Sequence, residues 1–233
     1  MKRLDRILSE QTLYSRKEIK KIVSKGLVSV NGTLVKNPEE KFDENNVIIV
    51  VDGNKLDIKE HIYLLLNKPE GYVSATRDNK DKTVLDLVPE KYKVKELFPA
   101  GRLDKDTTGL MLITDDGEFA HNILAPNKHV KKSYEVEIDI PMTDDMANGF
   151  SKGVKLNDGE CKSAILEITG KSSGIVTISE GRYHQIKRMF GCFGAKVTKL
   201  NRISIGNLIL PKDLKQGYIR EATSEELDRI KEQ

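Results

Sequence analysis

The 233-residue sequence predicts an α+β protein in which a small N-terminal module precedes a larger domain with a largely antiparallel mixed sheet flanked by helices. Short segments of alternating apolar residues outnumber amphipathic helical segments, which favours a sheet of many strands. Asn31-Gly32 is a strong hairpin signal close to the N-terminus. Residues 52–61 are polar and lack apolar periodicity, so we expect a boundary there, with domains at 1–59 and 60–233.

A basic amphipathic helix is predicted in the N-terminal module. Ser15 and Glu18 have the spacing of a capping box, and Gly26 provides a C-cap. Ile19, Ile22 and Val23 recur at helical spacing and form an apolar stripe. The basic residues on the other face are Arg16, Lys17, Lys20 and Lys21. Residues 1–26 contain eight lysines and arginines against three acids, so positive charge is concentrated at this end of the chain.

The order of elements in this module resembles the S4 RNA-binding domain. A first helix begins within Arg3-Leu4-Asp5-Arg6-Ile7-Leu8, the basic helix follows, and the hairpin and a strand at 47–51 complete the segment. The resemblance implies that Arg3 and the four basic residues of the helix bind RNA. Judged from charge alone, the same residues are equally consistent with a solvated helix face.

The larger domain contains seven predicted strands and four predicted helices. The strands are expected at 62–67, 84–88, 110–114, 134–140, 164–169, 174–179 and 196–200. The helices are expected at 117–125, 143–153 and 183–193, with a C-terminal helix capped by Thr223 and Glu226.

Composition and short motifs exclude several classes of protein. With 38% hydrophobic and 32% charged residues the chain should fold, and the apolar run at 62–66 is much too short for a membrane span of ~20 residues. The N-terminus lacks the apolar core of a secretory signal, so we expect a cytoplasmic protein. Cys161 and Cys192 form no CxxC pair, the histidines lack metal-ligand spacing, and no GxGxxG or Walker pattern occurs. We therefore expect no metal and no cofactor.

Residues 101–110, GRLDKDTTGL, hold an acid between two glycines and beside basic residues. A buried aspartate that acts as a nucleophile needs a cationic partner to stay ionised, and a distant segment is the more plausible source of that partner. Judged from the residues alone, this segment is equally consistent with a polar turn. A magnesium cluster of Asp104, Asp106, Asp115 and Asp116 is a further alternative, although Asp115-Asp116-Gly117 is more typical of a turn that leads into a helix.

The same segment resembles the catalytic motif of pseudouridine synthases that act on ribosomal RNA. Three further segments match that family in the expected order, namely 67–73 (NKPEGYV), 132–136 (KSYEV) and 179–189 (SEGRYHQIKRM). Together with the S4-like module, the resemblance covers nearly the whole chain. It implies isomerisation of uridine to pseudouridine, a reaction that neither gains nor loses atoms and needs no redox partner or metal.

The family motifs imply roles for individual residues. Asp104 corresponds to the catalytic aspartate, Tyr134 to a tyrosine that stacks on the extruded base, and Lys187 to the basic partner of the aspartate. Arg188 is the rival of Lys187 for that pairing. The resemblance also implies substrate contacts from Arg102, Leu103, Arg182 and Arg188, with Arg102 entering the space left by the base or contacting a phosphate.

Within this family the sequences of residues 71–75, 83–87 and 126–130 are most similar to those of the branch that modifies 16S rRNA. We expect a monomer that acts on ribosomal RNA, within a partly assembled small subunit. The alternatives are a 23S rRNA synthase, a non-catalytic RNA-binding or ribosome-assembly protein, and a magnesium-dependent nuclease.

Overall fold

A computed structural model describes residues 1–44, 46–125, 128 and 130–231. The chain divides into two compact units. The first consists of residues 1–62 and 88–97, and the second of residues 63–87 and 98–233. The segment 126–130, which contributed to the predicted 16S specificity, lies mostly outside the described residues. Among the described residues, no helix is long and apolar enough to cross a membrane.

The N-terminal unit combines two helices with short antiparallel strands. The helices are α1 (Leu4–Gln11) and α2 (Arg16–Ser24), and a 3-10 helix spans Glu90–Tyr92. The strands are β1 (Lys2–Arg3), β2 (Val28–Val30), β3 (Thr33–Leu34), β4 (Lys41–Phe42), β5 (Ile49–Val51) and β6 (Asn54–Lys55). A four-stranded sheet has the order β3-β2-β5-β6, and β1 pairs separately with β4.

Local sequence signals account for this unit. The Ser15 hydroxyl accepts a hydrogen bond from the Glu18 amide and the Glu18 carboxylate accepts one from the Ser15 amide, so the predicted capping box is confirmed. The predicted hairpin is also confirmed, because Asn31 and Gly32 both have positive φ, as the tight turn between β2 and β3 requires. The buried core residues include Leu4, Ile7, Leu8, Ile19, Val23 and Val28.

The second unit is built on one large mixed sheet. Its strands are β7 (Tyr63–Lys68), β8 (Phe98–Ala100), β9 (Thr108–Thr114), β10 (Lys132–Ile138), β11 (Lys155–Leu156), β12 (Gly159–Glu160), β13 (Ile165–Gly170), β14 (Ser173–Ile178), β15 (Val197–Ile205), β16 (Leu208–Ile209) and β17 (Ile219–Glu221). The order is β13-β14-β10-β15-β9-β7-β17, with β16 beside β15, β8 beside β9, and β11–β12 as a separate hairpin. Within this sheet only β9 and β15 pair in parallel among the described residues, which confirms the predicted antiparallel character.

Four helices accompany the sheet, at α3 (Gly117–Leu124), α4 (Asp144–Lys152), α5 (Gln185–Gly191) and α6 (Ser224–Lys231). Leu65, Leu112, Phe119, Ile205 and Ile230 belong to one buried cluster that joins the sheet to α3 and α6. The Phe150 ring of α4 lies 4.8 Å from the Phe190 ring of α5. Burying these apolar groups is the main favourable contribution to the stability of the unit.

Three predicted elements differ in the structure. The strand expected at 84–88 is wrong, because Val84–Leu87 form a 3-10 helix in which the Asp86 carboxylate accepts hydrogen bonds from the amide and hydroxyl of Thr83. The helix expected from residue 183 begins at Gln185, since His184 has the left-handed values φ 49° and ψ 34°. The strand expected at 196–200 continues to Ile205, and the short strands β8, β11, β12, β16 and β17 were not predicted.

Gly109 permits the close approach of the two parallel strands. Its φ is +106°, and a Cβ atom there would lie 2.2 Å from the backbone oxygen of Arg202 and 2.6 Å from its nitrogen. Any other residue would therefore clash with β15 as well as strain the backbone. This approach brings the turn before β9, residues 101–107, beside the middle of β15.

Candidate active site

A cavity of about 640 Å³ opens in the second unit beside the turn 101–107. Its wall combines this turn with β10, β15 and the segment that leads into α5. Charged and polar residues of the lining include Arg102, Asp104, Thr107, Lys132, Tyr134, Arg182, His184, Lys187 and Arg202. A space of this size is typical of small-molecule sites, and it can hold a nucleotide base with its ribose.

The Asp104 carboxylate is held between two side chains from α5 and its approach. Its Oδ2 lies 3.0 Å from Nζ of Lys187, and its Oδ1 lies 3.4 Å from Nε2 of His184. Lys187 also donates a hydrogen bond of 2.6 Å to Oδ1 of Asp106. One lysine from a distant segment therefore contacts both acids of the turn, so the neighbouring Lys105 is free to pair with Asp81 instead.

The charges in this group favour the ionised forms. Burial alone would lower the pKa of Lys187, but its hydrogen bonds to Asp106 and Asp104 outweigh burial and raise the pKa. Burial likewise opposes ionisation of Asp106, and the hydrogen bond and charge of Lys187 lower the pKa of that carboxyl. The cluster thus places a protonated lysine between the side chains of Asp104 and Asp106, an arrangement that supplies a nucleophilic carboxylate with a cationic partner.

The start of α5 places His184 and Lys187 on the cavity side. The Gln185 side chain is buried, accepts a hydrogen bond from the Arg182 amide at 3.0 Å and donates one to Glu180 at 2.9 Å. The left-handed backbone of His184 turns the chain sharply into the helix. Sequence reasoning did not place His184 beside Asp104, and its left-handed backbone could not have been read from the residues.

Tyr134 lies on β10 and is 7% exposed. Side chains alternate along a strand, so Lys132 and Tyr134 face the same side, and Tyr134 is the register partner of Arg202 on β15. All three residues line the cavity that contains Asp104. A flat ring in this wall offers a surface on which an extruded base can stack.

Lys68 is a second residue that sequence reasoning missed. It is fully buried at the end of β7, where its Nζ donates hydrogen bonds to the backbone carbonyls of Pro69, Asp104, Lys105 and Thr107 at 2.7–3.3 Å. Burial lowers its pKa to about 8, against the opposing charges of the nearby carboxylates. The side chain therefore holds the backbone of the turn that carries Asp104. The signal in the sequence was a lysine that directly follows a buried apolar strand.

The predicted substrate residues occupy different environments. Arg102 and Leu103 line the cavity, and the Leu103 backbone is bonded to the Ser74 hydroxyl. Arg182 also lines it, but its guanidinium donates to the carbonyls of Gly159 and Glu160 and so supports the β11–β12 hairpin.

Arg188 is the alternative to Lys187 as the partner of Asp104, but in the structure it pairs with a different acid. Its guanidinium forms an ion pair with Asp158 and donates a hydrogen bond to the Tyr183 carbonyl at 3.1 Å. It lies outside the cavity lining formed by the described residues. Lys187, one residue earlier, holds the position beside Asp104.

The aspartates of the alternative magnesium cluster have different partners in the structure. Asp104 and Asp106 contact Lys187, whereas Asp116 accepts hydrogen bonds from the Phe119 amide at 2.9 Å and the Tyr63 hydroxyl at 2.5 Å. Asp116 is thus the N-cap of α3, as the predicted turn into a helix implied. Over the described part of the chain, no group of three or more histidine, cysteine or acidic side chains is arranged to hold a metal ion.

The predicted RNA-binding residues of the N-terminal unit form an exposed surface. Arg16, Lys17, Lys20 and Lys21 are all exposed on α2. Arg16 and Lys20 line a groove of about 690 Å³ that also contains Arg3. Arg3 pairs with Asp5 at 2.7 Å and with Glu39 at 2.9 Å, so acids share this surface with the basic residues.

Comparisons with known proteins agree with this division of the chain. Residues 62–191 match the family described as RNA pseudouridylate synthase, and residues 2–48 match the S4 domain. The ribosomal small subunit pseudouridine synthase A of Escherichia coli is 42% identical over 98% of this chain and 99% of that protein. An uncharacterized RNA pseudouridine synthase of Bacillus subtilis is 41% identical over 99% and 98%.

A solved structure shows the same fold over the full length. The crystal structure of a pseudouridylate synthase superposes with a TM-score of 0.70 and 35% identity, covering 99% of this chain and 100% of that one. The fold, the family match over more than half of the residues and the full-length relatives lead to one conclusion: this chain belongs to the RNA pseudouridylate synthase family and carries an N-terminal S4 domain.

Proposed function

We propose that this enzyme isomerises one specific uridine of ribosomal RNA, in 16S rRNA of the small subunit, with Asp104 as the nucleophile. The observation that carries the proposal is the ion pair between Asp104 and Lys187 in a cavity that Tyr134 also lines. The small-subunit target is supported by the similarity to the ribosomal small subunit pseudouridine synthase A of Escherichia coli, which extends over 98% of this chain.

The chemistry assigns a task to each group of the cavity. The C1′–N1 bond of the uridine breaks, the base turns, and C1′ joins C5. The proton lost from C5 and the proton gained at N1 balance, so substrate and product have the same atoms. Asp104 supplies the carboxylate, whether it attacks C1′ or C6 or assists through a glycal. Lys187 pairs with that carboxylate and positions it, and Tyr134 stacks on the base.

The remaining predicted contacts hold the RNA. Arg102 and Leu103 lie next to the nucleophile, and Arg102 fits the space vacated by the base or a phosphate beside it. Arg182 in the cavity wall and Arg188 near the cavity contribute positive charge that attracts the RNA backbone. In this proposal residues 60–233 form the catalytic domain, which acts as a monomer without a cofactor.

Docking is assigned to the N-terminal domain, residues 1–59. The exposed charges of α2 and Arg3 suit the phosphates of a structured RNA region, within a partly assembled small subunit in the cytoplasm. Removing this domain should lower affinity for that substrate, and unchanged kinetics after its deletion would reject the docking role.

Mapping of pseudouridines in rRNA tests the proposal directly. Cells that lack the protein should lose one modification in 16S rRNA, and the wild type should restore it while Asp104→Asn should not. Asp106→Asn is the matched control, because it removes the neighbouring carboxylate that shares Lys187 and should still restore the modification. Restoration by Asp104→Asn would reject the nucleophile, and loss of a 23S site instead would move the target to the large subunit. A normal map in the deletion strain would favour a non-catalytic role.

A further inference from the structure

Two buried cations in the cavity wall lack an acidic partner. Lys132 is 8% exposed and Arg202 is 2% exposed, and both line the cavity. No carboxylate among the described residues forms an ion pair with either of them. Burying a charge without a counter-charge is costly, so such an arrangement calls for a reason beyond stability.

Both side chains have N–H groups that form no hydrogen bond with the described residues. Lys132 Nζ donates to the Val130 carbonyl at 2.8 Å, which uses one of its three protons. Arg202 Nε donates to the Leu110 carbonyl at 2.7 Å, while its buried Nη2 has no partner among the described residues. The buried hydroxyl of Thr107, in the same wall, is also without a partner there. Buried polar groups normally have hydrogen-bond partners, so these unused donors are expected to bond to a ligand of the cavity.

The sheet places both cations beside Tyr134. Lys132 and Tyr134 are two residues apart on β10, and Arg202 is the register partner of Tyr134 on β15. All three side chains line the same cavity. A base stacked on the Tyr134 ring would share this cavity with the donors of Lys132 and Arg202.

We infer that Lys132 and Arg202 bind the carbonyl oxygens of the uracil base and stabilise the negative charge that it carries after it leaves the ribose. The inference deepens the proposed function, on which it rests for the identity of the cavity. When the C1′–N1 bond breaks, its electron pair remains on the base, and the charge is shared by N1, O2 and O4. Donors fixed in a buried wall stabilise such an anion strongly, because they need no reorganisation and are shielded from water.

Neutral and charged substitutions of Lys132 test this role. Lys132→Met keeps the length of the side chain and removes the charge, and the single-turnover rate should fall about 100-fold, the usual cost of losing one such donor. Lys132→Arg should retain most of the rate. Lys171→Met, at an exposed lysine in the turn between β13 and β14, is the matched control and should behave as the wild type. Thermal unfolding of each variant shows whether it still folds. Arg202→Lys is a further variant, which keeps the charge of the second cation.

RNA that contains 5-fluorouridine at the target separates anion stabilisation from simple packing. Fluorine withdraws electrons and stabilises the uracil anion, so the reaction should depend less on the cations. C1′ still joins C5, but C5 then has no proton to lose, so the product keeps its fluorine and takes up water at C6. Progress is measured as the disappearance of 5-fluorouridine from the digested RNA. Lys132→Met should be impaired about tenfold less on this substrate than on uridine.

The outcomes distinguish the inference from the function on which it rests. An equal loss on both substrates, or a wild-type rate of folded Lys132→Met on uridine, would overturn the role of the two cations. Activity of Asp104→Asn would instead overturn the proposed function, whatever Lys132→Met does.

Discussion

The two groups of basic residues in this protein differ in origin and in environment. On α2 the basic side chains are close in sequence, exposed, and share their surface with acids such as Asp5 and Glu10. In the catalytic unit Lys68, Lys132 and Arg202 come from three different strands and are buried. Exposed charges in water interact weakly and are screened by salt, whereas buried charges interact strongly with whatever they contact.

The difference indicates separate tasks for the two groups. The exposed group suits recognition of a phosphate backbone, where many weak contacts add up to affinity. The buried group suits the control of a few atoms, namely the backbone of the turn 101–107 and, by our inference, the oxygens of the base. Substitutions in the two groups should therefore change different quantities, and the following experiments test whether they do.

The largest effect is expected from Lys68→Met, because it removes the buried ammonium that bonds three backbone carbonyls of the turn 101–107 and the carbonyl of Pro69. The carbonyls of Asp104 and Lys105 keep backbone amide donors at 3.1 and 2.8 Å, so the variant should lose about 3 kcal/mol of unfolding free energy rather than the full cost of four unpaired carbonyls. Urea unfolding monitored by circular dichroism measures this change. An unchanged midpoint would show that the turn does not depend on Lys68.

Lys187→Met should leave the fold intact and lower kcat by about 100-fold, since Asp104 loses the cationic partner that holds its carboxylate in place. Lys187→Arg keeps the charge and should recover most of the loss. Single-turnover kinetics on target RNA measures both variants. Equal activity of the Met and Arg variants would show that the charge beside Asp104 is not required.

Removing charge from α2 should affect binding rather than chemistry. The double change Lys20→Ala and Lys21→Ala should weaken RNA binding about tenfold and reduce the salt dependence of the affinity by about two counterions, while the rate at saturation stays the same. The matched control is Lys36→Ala with Lys55→Ala, which removes the same charge from exposed positions outside α2. If both pairs reduce affinity equally, only net charge matters.

The smallest effect is a change of rate with pH. Burial, with a contribution from the nearby charge of Arg202, lowers the pKa of Lys132 from 10.5 to about 8. Lys132 is therefore about half protonated near pH 8 and loses its charge as the pH rises further. The catalytic rate should fall a few-fold between pH 7.5 and ~8.5. Lys132→Arg should move this decline to higher pH, whereas a decline that stays in place would assign it to Lys68, whose pKa is also about 8.

Unfolding does not account for such a decline. The pKa of Lys132 is lower in the folded chain, so the unfolded chain binds more protons between pH 8 and 10.5. The contribution of this group to stability therefore increases as pH rises through that range. A midpoint of urea unfolding that stays constant or rises from pH 7.5 to ~8.5, together with a falling rate, would separate the two effects.

The sequence by itself determined the local elements and the family. The capping box at Ser15, the Asn31-Gly32 turn and the Asp116 cap depend on neighbours within three residues, and for that reason the residues alone predict them. The strand predicted at 84–88 is wrong because four of its five residues are apolar and so indicate a buried strand, while the bond from Thr83 to Asp86 bends the segment into a 3-10 helix. The motifs identified the reaction without any coordinates.

Only the tertiary structure decided which charges meet. The pairing of Asp104 with Lys187 rather than with Lys105 joins residues 83 positions apart in the sequence, as their numbers 104 and 187 give. The burial of Lys68, Lys132 and Arg202 likewise depends on how strands β7, β10 and β15 come together around the turn. A lysine has the same charge in any sequence, but the water and the partners around it are set by the fold, and these decide whether it binds a phosphate, holds a loop or stabilises an anion.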